Sequence, residues 1–233
     1  MLLSIKQFLR RLLFRMGVPA YCKCAYNSLD NKLAPYLDFD DGVFLEAGAN
    51  DGLAQSNSYY LERIKGWRGI LVEPVPSLFE ACRRARPRAI CVNAALVPGD
   101  YSETTVQLQT AGLMTMVAAS SGNTHYSSGH IEKGLAHEGL RESQLVEAEA
   151  TTLDKVICAS GFEKIDFMSL DLEGYEVEAL KGLSFERYGP DWMLLEVRNR
   201  AEIESVIGAH YEEIETLTQN ECYCDVLYRK KKS

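Results

Sequence analysis

Five short, largely apolar runs, each closing on a polar or turn-forming residue, limit what this chain can fold into. They are Gly42–Gly48 (GVFLEAG), Gly69–Pro74 (GILVEP), Ala89–Val97 (AICVNAALV), Ile165–Asp171 (IDFMSLD) and Asp191–Val197 (DWMLLEV). Runs of this kind, apolar without strict alternation, belong to strands covered on both faces, and such strands occur in parallel sheets flanked by helices. Helix-like sequence fills the gaps at Ser58–Lys65, Ser77–Arg86, Tyr175–Gly182 and Arg200–Gly208, with Ser77 and Glu80 spaced as an N-terminal capping box. Tyr211–Leu217 and Cys222–Arg229 read as a hairpin around Gln219-Asn220. The predicted fold is therefore α/β and doubly wound: a mostly parallel seven-stranded sheet, Rossmann-like, with an antiparallel C-terminal hairpin.

At 233 residues and 46% hydrophobic composition the chain can bury one substantial core, so a single domain over residues 41–233 is expected. Thr104–Gln109 and Leu145–Ala150 alternate as strands do, and they bracket residues 111–143, too long for an ordinary connection and expected to form a lid or substrate loop. Residues 1–40 form a separate lead-in. Its start places Ile5, Phe8, Leu9, Leu12 and Met16 at helical spacing among Lys6, Arg10, Arg11 and Arg15, a basic amphipathic helix. Charges interrupt every apolar run there, which excludes a membrane span or a signal-peptide core. The helix either packs on the domain or anchors residues 1–16 peripherally on anionic lipid.

The formal net charge is −8, and it becomes −16 for residues 21–228 once the eight terminal cations are set aside. So acidic a body repels nucleic acid and favours a neutral or cationic small molecule or glycan. Seven cysteines in a chain of this size read as free thiols in a reducing, cytoplasmic setting. The pairs Cys22/Cys24 and Cys222/Cys224 lack the usual zinc spacing and are read as ordinary strand or loop residues.

Ligands of open doubly wound sheets sit outside the carboxyl ends of the strands. The first run closes Glu46-Ala47-Gly48-Ala49-Asn50-Asp51-Gly52, in which Gly48 and Gly52 permit a tight turn and close backbone approach to a ligand. A dinucleotide loop shares the first glycine, but Asn50 and Leu53 stand where its other two would be. The Glu46 carboxylate would repel a diphosphate and attract the ammonium of a methionine moiety. Glu73, closing the second run, either accepts from ribose hydroxyls or caps the helix that follows. Asn93 either meets an adenine edge or forms a turn.

The blocks FLEAGANDG, LVEPVPSLFE, CVNAALV, TTLDKV, IDFMSLDLEGYEVEALKGL and LLEV, in this order over about residues 42–200, resemble the FkbM-type methyltransferases. That resemblance implies a class I S-adenosyl-L-methionine-dependent fold and O-methylation of a sugar, glycolipid or secondary-metabolite hydroxyl. By it, Glu46, Gly48, Asn50 and Asp51 hold the methionine end of the cofactor, Glu73 the ribose, and Asn93 with Ala94 the adenine; Gly52 closes the same turn. The lead-in and the central insertion fall outside the resemblance.

Asp171 and Glu173, closing the fourth run, are the first candidates for a base that takes the acceptor's proton. Their other reading is structural, Asp171 orienting the cofactor loop and Glu173 charging the next helix start. His125, His130 and His137 lie on the expected lid, with His125 a further candidate base. Asp171 with Glu196 or Asn199 offers oxygen ligands to a divalent cation. Thr151 or Thr152 is expected to cap a helix before the fourth run. The competing functions are a non-catalytic adaptor that keeps the fold and a nicotinamide-dependent oxidoreductase, which would need the diphosphate loop.

Overall fold

The computed structural model describes residues 13, 16–111, 114–117 and 144–232. The expected helix over residues 1–16, apart from Leu13 and Met16, lies outside them, as do His125, His130 and His137. Strands β1 (Val43–Ala47), β2 (Arg68–Val72), β3 (Ile90–Val92), β8 (Phe167–Leu170), β9 (Trp192–Val197), β10 (Tyr211–Gln219) and β11 (Cys224–Lys230) form the expected seven-stranded sheet. Its order is β10-β11-β9-β8-β1-β2-β3. Neighbours from β3 across to β9 are parallel, and β11 runs antiparallel to both β9 and β10. The chain leaves β1 toward β2 on one side and later returns beside β1 as β8, so the topological switch point lies between β1 and β8.

Successive strand side chains point to opposite faces, and the two faces carry separate cores. Phe44, Leu71, Phe167 and Leu194 pack with α1 (Leu29–Leu33), α2 (Tyr59–Lys65) and α3 (Pro76–Ala85) through Leu29, Leu33, Leu61 and Cys82. Leu45, Ile70, Met168 and Leu195 pack with α4 (Leu153–Ser160), α5 (Glu176–Leu180) and α7 (Arg200–Ile207) through Leu153, Ile157, Ala179, Leu180, Ile203 and Ile207. A short α6 (Phe185–Tyr188) joins α5 to β9. Thr152 caps α4 by accepting from the Lys155 amide, 3.2 Å.

Three local expectations are corrected. The run Ala89–Val97 is not one strand: β3 ends at Val92, and β4 (Ala95–Leu96) pairs with β7 (Gln144–Thr151) in a second sheet that also holds β5 (Thr105–Ala111) and β6 (Met114–Val117), in the order β4-β7-β5-β6. The break falls at Asn93, whose amide donates to the Glu73 and Pro74 carbonyls at 2.9 and 3.0 Å and turns the chain out of the main sheet. Ser77 forms no capping box, since α3 begins at Pro76 with Val75 at the cap and no side-chain bond. Proline lacks the N–H a cap would satisfy and presets the helical φ, so it takes the first helical position. The stretch expected to be a loop from residue 111 begins as a hairpin, β5 (Thr105–Ala111) with β6 (Met114–Val117). β5 and β7 are strands, as the alternation predicts, and they pair antiparallel with each other. No helix among the described residues is long and apolar enough to cross a membrane.

Candidate active site

The carboxyl ends of β1, β2 and β8 meet at the switch point, and the turn after β1 is folded entirely on internal acceptors. The Gly48 and Ala49 amides donate to the Val72 carbonyl, at 3.1 and 3.2 Å, and Gly52 to the Ala49 carbonyl, 2.8 Å. The Asn50 amide donates to Glu73 Oε2 (2.9 Å), Asp51 to Asn50 Oδ1 (2.6 Å), and Leu53 and Ala54 to Asp51 Oδ1 (2.9 and 2.7 Å). Every N–H from residue 48 to 54 is therefore committed within the protein. A phosphate-binding loop works by leaving such groups free for the anion.

Both glycines are required here, for a reason the sequence does not disclose. Gly48 has φ +80°, and a Cβ on it would lie 2.0 Å from the Asp171 carbonyl oxygen. Gly52 has φ +79°, and its Cβ would meet Arg86 Cγ at 2.9 Å and Cys82 Sγ at 3.0 Å. Protein, rather than an approaching ligand, fills the space that the missing side chains leave. Asn50 sits in the same left-handed region, φ 51°, which its short side chain tolerates.

Glu46 is buried and turned toward residues 56–58. It accepts from Ser56 Oγ (2.8 Å), the Asn57 amide (2.8 Å), the Ser58 amide (3.3 Å) and Ser58 Oγ. It anchors a loop, a function that its position at the end of β1 did not reveal. Glu73 is buried between two amides, Asn50 at one oxygen and Val75 at the other, 2.9 Å each. Burial raises its pKa from the ordinary carboxyl value, against the lowering effect of those two bonds. Asn93 supports this end of β2 from below with its amide donors, and Ala94 beside it is buried.

Asp171 directly follows β8, next to the turn, and is exposed. Desolvation by the surrounding protein raises its pKa well above the ordinary value, and the carboxylates of Glu196, Glu173 and Asp225 raise it further against the opposing charge of Arg198. Glu173 adopts φ 56° and forms an ion pair with Arg198 at 2.8 Å, which also pairs with Glu196 at 2.8 Å. Glu173 is thus tied to a cation, and Asp171 is the more exposed of the two acids. Glu176 folds the intervening turn by accepting from the Leu172 and Gly174 amides, 2.7 and 3.2 Å. Burial pushes its pKa up to about 7 and that of Glu196 to about 8.

Carboxylate oxygens of Asp171, Glu176 and Glu196 all lie within 4.8 Å of one another. Asn199 is not part of this group: its Oδ1 caps α7 by accepting from the Ala201 and Glu202 amides, 3.1 and 3.4 Å. Among the described residues the Cys-x-Cys pairs form no metal-binding group. Arg86, Ser56, Ser58, Glu176 and Arg198 escaped the sequence reading. The polar run Gln55-Ser56-Asn57-Ser58 after the glycine turn and the arginine directly after LLEV are the signals that were available.

A Rossmann-like sheet with its acids gathered at the switch point is the class I methyltransferase arrangement. A human protein containing a methyltransferase 10 domain shares the fold, at 8% identity over 97% of this chain and 95% of that one, with a TM-score of 0.50. Other similar structures are a TehB-like S-adenosylmethionine-dependent methyltransferase from Corynebacterium glutamicum (10% identity, 87% and 88% covered, TM-score 0.43) and Aeropyrum pernix fibrillarin with natively bound S-adenosyl-L-methionine (11%, 88% and 80%, 0.44). No curated protein matches. The model of the methyltransferase FkbM domain matches residues 46–223, and the chain belongs to that family. By family and fold it is an S-adenosylmethionine-dependent methyltransferase.

The residues at the site fit that cofactor. Glu73 and Asp171 offer acceptors to ribose hydroxyls and negative charge to a sulfonium and an ammonium, whereas a dinucleotide's diphosphate would meet those carboxylates and no free amide of the turn.

Proposed function

We propose that this chain methylates a hydroxyl oxygen of a neutral small molecule or glycan, with Asp171 as the base that accepts the hydroxyl proton. S-adenosyl-L-methionine, when bound, supplies an electrophilic methyl group on a positively charged sulfur. Glu73 receives the ribose hydroxyls, and the Glu46-anchored loop and the turn through Asn50 and Asp51 shape the methionine end. Asn93 and Ala94 border the adenine. Positioning supplies much of the rate of such an in-line transfer, and a placed base adds roughly 10²- to 10⁴-fold. The observation that carries the assignment is Asp171: an exposed residue at the switch point whose carboxylate lies within 4.8 Å of those of Glu176 and Glu196, with desolvation first and the neighbouring acids second raising its affinity for a proton. A neutral or cationic acceptor follows from the same charge, since an anionic one would be repelled.

Arg198 supplies positive charge to Glu173 and Glu196, which favours metal-independent transfer over a divalent cation in the Asp171, Glu176 and Glu196 group. Incubation with EDTA is expected to leave turnover unchanged; loss of turnover restored by magnesium would assign that group to a cation. Seven cysteines scattered through a chain of this size fit a reducing, cytoplasmic setting.

The test is transfer of labelled methyl from the donor to a panel of polyols, glycans and amines, with Asp171→Asn alongside. The expected result is O-methyl product, with kcat falling about 10²- to 10⁴-fold in the variant while donor affinity is kept. Product on nitrogen, or an undiminished variant, contradicts the assignment. A panel without turnover alongside intact donor binding favours an adaptor.

A further inference from the structure

We propose that Arg86, remote from the reacting atoms, is a positioning residue that sets the methionine end of the donor site by orienting the hydroxyls that hold Glu46. The proposal rests on the methyl-donor reading above.

Arg86 follows the last turn of α3 and is fully buried, an uncommon state for an arginine that needs every donor matched. Its Nε donates to Glu62 Oε2 at 2.8 Å. Nη1 donates to the Gly52 carbonyl at 3.0 Å and to Ser56 Oγ at 3.1 Å, and Nη2 to Ser58 Oγ at 3.0 Å. The guanidinium carbon also lies 5.4 and 5.3 Å from the ring centroids of Phe44 and Tyr59. Glu62 matches the charge, while the other three bonds all go to one segment, residues 52–58.

The direction of these bonds matters. A guanidinium only donates, so each serine oxygen accepts from Arg86 and its single proton must point elsewhere. For both serines that direction is Glu46, which Ser56 Oγ meets at 2.8 Å and Ser58 Oγ also meets. The two hydroxyls are nearly or wholly buried, at 2% and 0% exposure, so water does not compete for them. Arg86 thereby fixes which way the hydroxyls point, and through Gly52 it also holds the end of the glycine turn. The absent Cβ of Gly52 is what admits the arginine stem, since it would lie 2.9 Å from Arg86 Cγ.

Glu46 and Arg86 are therefore two ends of one unit, with the serines between them, and removing either end should release the same loop. Lysine at position 86 keeps a charge but cannot place donors on Glu62, Gly52 and both serines at once.

The test measures binding of S-adenosylhomocysteine and of 5′-methylthioadenosine, which lacks the methionine end, by calorimetry well below each variant's melting temperature. The proteins are wild type, Arg86→Lys, the Ser56→Ala/Ser58→Ala pair, Glu46→Gln, and Arg86→Lys combined with Glu46→Gln. Arg86→Lys and the serine pair are each expected to weaken S-adenosylhomocysteine on the order of ten-fold, with 5′-methylthioadenosine changed less than about two-fold. The combined variant is expected to lose no more than the worse single one. Wild-type affinity in the serine pair, equal losses for both ligands, or additive losses in the combined variant overturns the proposal; the serine pair decides the matter if Arg86→Lys does not fold. Wild type that binds neither ligand overturns the methyl-donor reading itself.

Discussion

Glu46, Glu73 and Asp171 are three acids at three strand ends, and they differ in what remains of each carboxylate for a ligand. Glu46 is met by four protein donors. Glu73 receives one amide at each oxygen and keeps lone pairs on both. Asp171 is exposed. Glutamine at position 73 can serve only one of the two amides and loses the charge on the ribose, so Glu73→Gln is expected to weaken S-adenosylhomocysteine about ten- to hundred-fold by calorimetry. For Asp171 the sign of the pH effect follows from its role. A base acts deprotonated, so the rate rises with pH, and because the pKa is raised the ascending limb lies above the ordinary carboxyl range. Glu196→Gln removes a like charge and should move that limb to lower pH; a limb that stays in place excludes the coupling. The three acids were legible in the sequence because each closes an apolar run. Their division of labour was not, because it depends on Ser56, Ser58, Val75 and Arg198, which no periodicity ties to them.

The elements were read correctly wherever burial imposes a pattern and misread wherever one side chain decides. Strands β1, β2, β8 and β9 are buried on both faces, so their sequences could hardly be anything but apolar runs. The run through Asn93 has the same composition, yet a single amide reaching the end of β2 divides it between two sheets. Pro76 likewise displaced the capping box that Ser77 and Glu80 spell out. Two glycines with similar φ, Gly48 in the turn after β1 and Gly161 at the end of α4, make a contrast. Gly48→Ala would set a methyl 2.0 Å from the Asp171 carbonyl oxygen, whereas at Gly161, φ +75°, no atom lies within 4 Å. Thermal unfolding should show Gly161→Ala losing about 1–2 kcal/mol from backbone strain alone. Gly48→Ala should lose at least about 4 kcal/mol or fail to fold, because β1 and β8 must part at the site. Equal effects at the two positions would mean that the β1–β8 contact is looser than described.

For the whole molecule, the buried acids make stability depend on pH in an uncommon direction. Glu176 and Glu196 have pKa values raised to about 7 and about 8, so the folded chain binds their protons more tightly than the unfolded chain does. Their contribution is full below the ordinary carboxyl range and is lost as pH rises through about 7 and 8. Melting temperature should therefore fall between pH 5 and pH 9, and Glu196→Gln should flatten the fall; a wild-type profile that rises over this range contradicts the burial of these groups. The central claim is that the carboxyl edge between β2 and β8 cradles a cationic methyl donor. A crystal structure with S-adenosylhomocysteine tests it most directly. Ribose hydroxyls are expected on Glu73, with the sulfur turned toward Asp171 and the amides of residues 48–54 still bonded within the turn. A ligand seated elsewhere, or a turn opened so that those amides bind it, would rule out a carboxylate cradle.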